Sequence, residues 1–567
     1  MSPYRTLKER GVPQKPALAA LGDLDPVLAR VYAVRGIDDP AGLNQSLSNL
    51  APVSSLDGVT DAVNLLLEYR DRHIIVIGDF DADGATSTAL VIRCLRDFGF
   101  VKVDYLVPNR FEFGYGLTPE IVRVAAGRSP ALLITVDNGV SSIAGVAEAE
   151  RLGIPVLITD HHLPGGELPK AKAMLNPNLP DSDFPSRHLA GVGVAFYLMA
   201  ALGRALESEG VDGSAKIPAN YLDLVALGTV ADVVTLDLNN RILVRQGLNR
   251  IRAGKAVAGI QALITQSGRS IGRTVSSDLG FAVGPRLNAA GRLEDMSIGI
   301  ECLLTDDPAL ASRYAATLDR INSERRHIET KMRDQAFAYV DSLDDRNLPA
   351  CVCLYDESWH QGIVGLIASR VRERCHRPVI AFARDDGGDL KGSARSVPGV
   401  HVRDLLEAVS ANRPGLISKF GGHAMAAGLN LAEKHYADFR NCVSEQITRL
   451  YPDADFSGAL LTDGILPPDS MNLKFANLLR ASGPWGAGFP EPMWSGDFSV
   501  VDQRVVGENH LKMRVQPADG PVVIDAIAFN QAGLPIRGAV RLAYRLDVNE
   551  FRGVETPQLI VEQIVPC

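Results

Sequence analysis

Three aspartates at alternate positions, Asp79, Asp81 and Asp83, follow directly on a strand-like apolar run, in the order His73-Ile74-Ile75-Val76-Ile77-Gly78-Asp79-Phe80-Asp81-Ala82-Asp83-Gly84. Carboxylates so close repel one another unless a cation sits among them. Residues of the same chemical kind recur in Asp137-Asn138-Gly139, in Asp160-His161-His162, and at Asp232 inside the apolar Ala231-Asp232-Val233-Val234. An aspartate in such surroundings is costly unless it is paired or ligates a cation. Carboxylates with one or two imidazoles suit Mn²⁺ or Mg²⁺, imidazole tilting the preference toward Mn²⁺, and no thiol in these stretches argues for zinc. Two such ions about 3.5 to 4 Å apart polarise a phosphodiester, generate hydroxide from water and stabilise the leaving oxygen. A single Asp or His is structural by default; four such stretches point to a site.

Two competing readings of the first stretch fail on particular residues. Asp79 to Gly84 matches the first half of an EF-hand loop, but the twelfth position, which must be a bidentate glutamate, is Leu90. A phosphatase with a nucleophilic aspartate of DxD type leaves Asp160, His161, His162 and Asp232 without a role.

The elements that must position these residues alternate in type. Helix Val59 to Arg70 precedes the first strand, and a helix over Ala85 to Phe98 follows it, with Thr86 or Ser87 near its start. Strands are expected at Val101 to Val107, Ala131 to Val136 and Ile154 to Thr159, separated by helices Pro119 to Ala126 and Ser141 to Leu152. This rhythm predicts a doubly wound, mostly parallel α/β sheet. Ligands of such sheets bind outside the carboxyl ends of the strands, which brings Asp79, Asp81, Asp83, Asp137, Asp160, His161 and His162 to one crevice.

Residues 185 to 250 read as helical, including Val192 to Leu202 and Tyr221 to Val234. From Arg241 to Arg292 the chain carries nine basic residues and one acidic residue, Asp278, a stripe that could serve a polyanion or be a solvated helix face. It ends in Gly284-Pro285-Arg286-Leu287-Asn288-Ala289-Ala290-Gly291-Arg292, read as a loop presenting guanidinium groups to phosphate. Thr305-Asp306-Asp307-Pro308 starts a long connector helix. A second, smaller α/β region follows, with a strand at Ala350 to Tyr355, a helix at Gly362 to Arg374 and a strand at Pro378 to Ala383. Two glycine-marked segments then offer phosphate donors in Ser393, Arg395 and His423. Five short strands, Ser499 to Val506, His510 to Gln516, Val522 to Phe529, Ala539 to Val548 and Gln558 to Ile564, predict a barrel of oligonucleotide-binding type. Trp485, Phe489 and Trp494 lead into it, with core packing favoured over base stacking.

Composition fits these assignments. The 567 residues are too many for one core, and 46% hydrophobic with 22% charged residues is ordinary for a globular protein. The net charge of −9 alone argues against a nucleic-acid partner, and the basic stripe is the local exception. Seven cysteines, Cys94, Cys302, Cys351, Cys353, Cys375, Cys442 and Cys567, show no CxxC spacing, which argues against a disulfide framework and a zinc ribbon. Arg5, Lys8 and Arg10 precede no apolar signal region, and Val192 to Leu202 is too short to span a bilayer. A cytoplasmic protein off the membrane is expected.

Asp79-Phe80-Asp81-Ala82-Asp83-Gly84, Val136-Asp137-Asn138-Gly139, Asp160-His161-His162 and Asp232 together resemble the four motifs of the DHH phosphoesterase superfamily. Gly421-Gly422-His423-Ala424-Met425-Ala426-Ala427-Gly428 resembles the signature of the accompanying DHHA1 domain. With Pro285 to Arg292, the connector and the barrel, the resemblance narrows to bacterial exonucleases specific for single-stranded DNA, and covers residues 50 to 567. Phe80 stands where the family often has tyrosine, a departure that touches no ligand.

The resemblance implies an N-terminal extension over 1–50, a DHH catalytic domain over 51–304, a connector helix over 305–347, a DHHA1 substrate-binding domain over 348–452 and an OB-like domain over 453–567. It implies two divalent ions, Mn²⁺ or Mg²⁺. Asp79, Asp81 and Asp137 would hold one, and Asp83, Asp137, His161 and Asp232 the other, with Asp137 bridging. His162 would lie beside the scissile phosphate, and Asp160 would orient a histidine. Arg286, Asn288 and Arg292 would grip backbone phosphates, while Ser393, Arg395 and His423 would contact DNA from the second domain. The implied activity is 5′ to 3′ degradation of single-stranded DNA to 5′-mononucleotides, the strand threading between the two α/β domains. A monomer is expected, with single-strand-binding protein and a helicase as partners in recombination and repair. Two alternatives stay open: a phosphoesterase of short oligonucleotides, cyclic dinucleotides or pyrophosphate, and a DNA-binding scaffold with a degenerate site. The barrel and basic stripe favour long polymers, and the full set of Asp and His positions argues against degeneracy.

Overall fold

A computed structural model describes residues 5–12, 15–108, 116–343, 348–385, 387–454, 456–533, 536 and 538–566. They form two compact units, one of residues 7–320 with 461–566, the other of 321–460 with 5–6.

The first unit is built on a five-stranded, fully parallel sheet: β1 (His73–Ile77), β2 (Lys102–Leu106), β3 (Leu132–Val136), β4 (Val156–Thr159) and β5 (Ala173–Leu175), in the order β2-β1-β3-β4-β5. Every residue of β1, β3 and β4 is buried because both faces are covered. Ile75, Ile77, Leu133, Val156 and Ile158 pack on one face with α2 (Pro119–Ala126) and α3 (Ile143–Arg151). Ile74, Val76, Leu132, Ile134 and Leu157 pack on the other with α1 (Ala82–Asp97) and α4 (Gly191–Ser208). The two-residue period of the strands thus feeds two cores, each buried side chain contributing about 1.5–3 kcal/mol.

The chain leaves β1 for β2 on one side and reaches β3 on the other, so the segments after β1 and β3 part and open a crevice. Asp79 and Asp137 stand at its mouth. Strand β5 completes the sheet beyond the three strands anticipated after β1.

Helix limits differ from the sequence reading where polar residues act as caps. Helix α1 begins at Ala82 rather than Ala85, because the side chain of Asp81 caps it, accepting from the backbone N–H groups of Asp83 and Gly84 at 3.0 Å each. Helix α5 (Leu222–Ala231) stops before Val234, leaving Asp232 at its C-cap and Val233 in the left-handed region at φ +63°. The segment expected to be an arginine-presenting loop is α6 (Gly284–Leu293), preceded by a π-helical turn at Leu279–Val283. Pro285 lies in the first turn, where it favours a helix, and a Cβ on Gly284 would fall 3.1 Å from Ala231 Cβ, so these residues serve initiation and close packing. The connector is α7 (Pro308–Asp341), started by Asp307, whose carboxylate accepts from Ala309 N–H at 2.8 Å and Leu310 N–H at 3.3 Å. Residues 344–347 of the expected connector lie outside the described residues.

The C-terminal strands Trp494–Val506, His510–Pro517, Ile524–Ala528, Ala539–Phe551 and Val554–Pro566 close into a barrel in which the third and fifth run parallel. That is the topology of an oligonucleotide-binding barrel. N-terminal segment, sheet domain and barrel share one continuous core. Trp494 is fully buried in it, and Trp485 and Phe489 stack at 5.2 Å between centroids, with Tyr32 stacked 5.9 Å from Trp485, so this aromatic group is packing. The N-terminal segment therefore packs on the C-terminal part as well as on the sheet domain, Arg35 pairing with Asp463 at 2.7 Å.

The second unit contains a mixed sheet in the order Lys419–Gly422, Ala426–Ala432, Asp389–Arg395, Val379–Arg384 and Val352–Tyr355, only the last pair being parallel. Both glycine-marked segments lie largely in strands, with Ala426 opposite Arg395 and Gly428 opposite Ser393. The six described free cysteines are all buried, and Cys567 lies outside the described residues. Among the described residues no helix is long and apolar enough to cross a membrane.

Candidate metal centre

The crevice between β1 and β3 gathers the acidic and imidazole groups of the four stretches, and three sets of potential ligands emerge: Asp79, Asp81 and Asp137; Asp83, His161 and Asp232; and Asp137, His161 and His162. Within each set the candidate ligand atoms lie within 4.8 Å of one another. Asp137 belongs to two of them. Nε2 of His161 lies 3.1 Å from Asp137, 3.6 Å from Asp232 and 3.9 Å from Asp83, yet it is buried with no hydrogen-bond partner among the described residues. A buried imidazole nitrogen facing three carboxylates is the donor arrangement of a divalent cation site.

Backbone geometry puts the carboxylates there. Asp137 follows β3 in the left-handed region at φ +60°, a conformation aspartate tolerates better than most residues. A Cβ on Gly191 would fall 2.6 Å from the Asp137 Cβ, so only glycine fits beneath it. Asp83 is buried in the first turn of α1 and accepts from the backbone N–H groups of Gly191 at 2.6 Å and Val192 at 2.9 Å, the free donors at the start of α4. A Cβ on Gly228 would come within 2.9 Å of Asp83 Oδ1, which requires glycine in α5 at that point.

The charge balance matches a cation site. Burial, then Asp232 and Asp81, pushes the Asp83 carboxyl well above the usual range; burial, then Asp83, Asp81, Asp79 and Asp232, does the same to Asp137. Burial also raises Asp232 against the opposing effect of His161, and lowers His161 so that its imidazole favours the neutral, ligating form. This cluster holds its charge comfortably only with cations among its oxygens.

Asp160 behaves differently. Its Oδ1 lies 2.8 Å from His162 Nδ1 and accepts from the N–H groups of His161 at 2.7 Å and His162 at 3.1 Å, while Oδ2 accepts from Val140 N–H at 2.8 Å. Burial opposes its ionisation, but the bond to His162 and the charges of both histidines hold it below the usual range. Burial lowers His162, and the bond and charge of Asp160 with the charges of Asp79 and Asp232 outweigh this and push it up to about 9. Asp160 thus orients the loop and fixes which nitrogen of His162 faces outward.

Two supporting residues escape the sequence reading. Asn176 donates to the His162 carbonyl at 2.8 Å and Asn178 to the His161 carbonyl at 2.6 Å, clamping the histidine pair from behind. The signal available is Asn176-Pro177-Asn178, a turn-forming run directly after a short apolar segment.

The expected phosphate-binding residues fare unequally. Asn288 accepts from Ala82 N–H at 2.8 Å and so ties α6 to the aspartate turn. Arg286 is buried, pairs with Asp319 at 2.7 Å and donates to the Ala282 carbonyl at 2.6 Å, which does not offer it to a phosphate. Arg292 lies half-buried in the last turn of α6. In the other unit, Arg395 donates to Ser393 Oγ at 3.0 Å, and His423 donates its backbone N–H to the Ala426 carbonyl at 2.7 Å in the hairpin beside them.

Much of the basic stripe is engaged by partners within the fold. Arg241 is 4% exposed, with its guanidinium 4.3 Å from the Phe489 ring centroid. Arg245 donates to the Ala481 carbonyl and to Gln45 Oε1, both at 2.6 Å, and Arg252 to the Thr274 carbonyl at 2.8 Å. Arg269 pairs with Asp278, and Arg273 with Glu550 and Glu555. Arg241 and Arg245 hold the segment before the barrel, Arg273 holds the last hairpin, and Arg252 and Arg269 bond within the stripe itself.

Comparison with known proteins places this geometry. Residues 73–229 match the DHH family N-terminal domain, 347–449 the DHHA1 domain and 462–563 the RecJ OB domain. The single-stranded-DNA-specific exonuclease RecJ of Salmonella typhimurium is 50% identical over 100% of both chains, and that of Escherichia coli 50% identical over 99% of both. The crystal structure of Thermus thermophilus RecJ in complex with Mn²⁺ is similar over 100% of this chain and 80% of that one, with a TM-score of 0.83 and 28% identity. The same protein in complex with Mg²⁺ matches with a TM-score of 0.77 and 27% identity over 99% and 79%.

Proposed function

We propose, for a chain that belongs to the RecJ family of single-stranded-DNA-specific exonucleases, that it is itself an exonuclease of single-stranded DNA using Mn²⁺ or Mg²⁺. The observation that carries this reading is the three ligand sets linked through Asp137 and His161 in the sheet's crevice. Asp79, Asp81 and Asp137 would hold one ion, and Asp83, Asp137, His161 and Asp232 a second.

Once bound, such ions supply Lewis acidity to the scissile phosphodiester and lower the pKa of water. The chain's own residues do the rest. The N–H groups of Gly191 and Val192 keep Asp83 aimed inward, and the left-handed backbone at Asp137 turns its carboxylate toward both sets. Asp160 holds His162 by Nδ1, which leaves Nε2 to meet the phosphate and to deliver a proton to the leaving oxygen. Asn176 and Asn178 fix the carbonyls of this loop, so the imidazoles need no reorganisation during reaction. Attack proceeds from the 5′ end and releases 5′-mononucleotides, with Ser393, Arg395 and His423 among the DNA contacts. Single-strand-binding protein and a helicase would act beside a cytoplasmic monomer in recombination and repair.

The test uses metal-stripped protein given Mn²⁺ and single strands labelled at either end, with duplex, short RNA and pyrophosphate in parallel. Early release of a labelled mononucleotide from the 5′ end, with the duplex spared, is expected. Release from the 3′ end, or activity on pyrophosphate alone, overturns the reading.

A further inference from the structure

Phe281 is 81% exposed, although Leu279 and Val283 on the same π-helical turn are fully buried. A π-helical turn accommodates an extra residue in a helix, and such turns concentrate at functional sites. Here the turn packs on the end of α5: a Cβ on Gly280 would lie 3.2 Å from Val230 Cγ1, and one on Gly284 would lie 3.1 Å from Ala231 Cβ. The next residue is Asp232, a candidate ligand, and after it Val233 is 69% exposed at φ +63°. A β-branched residue in that region is strained, and strain of this kind collects at sites where it positions something. From Phe281 the chain continues into α6, whose Asn288 binds Ala82 N–H at the aspartate turn and whose Gly291 abuts the Phe80 carbonyl. One continuous segment, packed on α5 and bonded to the aspartate turn, therefore links an exposed aromatic ring to the candidate metal centre.

Resting on the reading of this protein as a single-strand exonuclease, we infer that Phe281, with Val233 beside Asp232, is a stacking platform for a nucleobase of the bound single strand near the reacting phosphate. Charge alone does not distinguish a single strand from a duplex, and much of the basic stripe is engaged within the fold. An unpaired base offers an open π-face to an aromatic ring, whereas a base inside a duplex has both faces covered. Phe281 is then a positioning residue that favours single strands, with no role in the chemistry itself.

The experiment compares wild type, Phe281→Ala, Phe281→Leu and Phe281→Trp on a single-stranded oligonucleotide and on a set in which one abasic nucleotide is moved along the first few positions from the 5′ end. Because the side chain is exposed, all four should fold, which unchanged melting temperatures would verify. Phe281→Ala should raise KM by about 5- to 100-fold with kcat nearly unchanged, the range expected for one stacked base whose stacking is shared by ground and transition states. Trp should restore activity and Leu should not. In wild type, one abasic position should reproduce the Ala defect, and in Phe281→Ala that position should cost nothing more. Wild-type KM in Phe281→Ala, equal rescue by Leu, or additive losses overturn the inference and leave the exonuclease reading intact. Failure of the wild-type protein to cleave single-stranded DNA overturns both.

Discussion

The acidic centre and the basic stretch from Arg241 to Arg292 are the two regions of nearly one-signed charge named from the sequence, and their charges are treated in opposite ways. In the acidic centre, Asp79, Asp81, Asp83, Asp137 and Asp232 converge with His161 at a sheet crevice, several of them buried and held by backbone N–H groups that leave their repulsion in place. In the basic stretch, Arg245, Arg252, Arg273 and Arg286 are paired with carbonyls or carboxylates, and Arg241 lies on an aromatic face. Like charges left facing one another mark the candidate site, while guanidiniums set singly against carbonyls, carboxylates or a ring serve the fold. A count of like charges does not separate the two; the partners do.

The largest effect should come from Asp137, which joins two of the ligand sets. Asp137→Asn keeps the shape and tolerates the left-handed backbone at φ +60°, so the fold should survive. Cleavage should fall by at least about a thousandfold, the scale of losing transition-state charge stabilisation worth several kcal/mol. Because burial and four neighbouring carboxylates oppose ionised Asp137, the metal-free variant should melt higher than metal-free wild type. The rise in melting temperature on adding Mn²⁺ should shrink, since ligand binding stabilises by mass action. Calorimetry with and without Mn²⁺ reads both signs; a variant that melts lower without metal and gains fully from it would end the contrast between the two regions.

Arg241 tests the other side. Arg241→Ala removes a buried guanidinium from the Phe489 ring and should cost about 1–3 kcal/mol in stability, through poorer packing and the missing cation–π attraction. Its effect on DNA should be nil. Removing one phosphate-binding cation from a single-strand complex would flatten the salt dependence of binding by about 0.7 in log–log slope, and no such change is expected. A flatter slope with an unchanged melting temperature would return Arg241 to the DNA-binding surface.

What can be read in the sequence follows the same division. The sheet is legible because β1, β3 and β4 are short apolar runs, and the ligand stretches because a parallel sheet carries its strand ends to one edge. The barrel is legible from alternation and turns. Partner choice is not: Arg286 as an ion pair with Asp319, thirty-three residues away, leaves no local trace. Helix α6 reads as a loop because Gly284, Pro285 and Gly291 are loop signals by type, whereas here Gly284 abuts Ala231, Pro285 starts the helix and Gly291 abuts the Phe80 carbonyl. Asp81 stands out in the sequence only as a possible ligand, and its second function as the cap of α1 starts that helix three residues earlier than expected.

The smallest expected effect sharpens the comparison most, because it concerns a stripe residue that is exposed. Arg273 pairs with Glu550 and with Glu555 at 2.8 Å, two glutamates placed directly opposite each other on the last hairpin of the barrel. Like charges so placed destabilise a strand pair, and Arg273 neutralises them. Exposed pairs are worth at most about 1 kcal/mol, so Arg273→Ala should lower the melting temperature only slightly. The loss should be greatest at low ionic strength, where the two glutamates repel unscreened, and should vanish near 1 M salt, where the Debye length is about 3 Å. Arg273→Ala combined with Glu555→Gln should recover much of it. If Arg273 instead grips DNA, its removal will flatten the salt dependence of binding and leave the melting temperature at low salt unmoved.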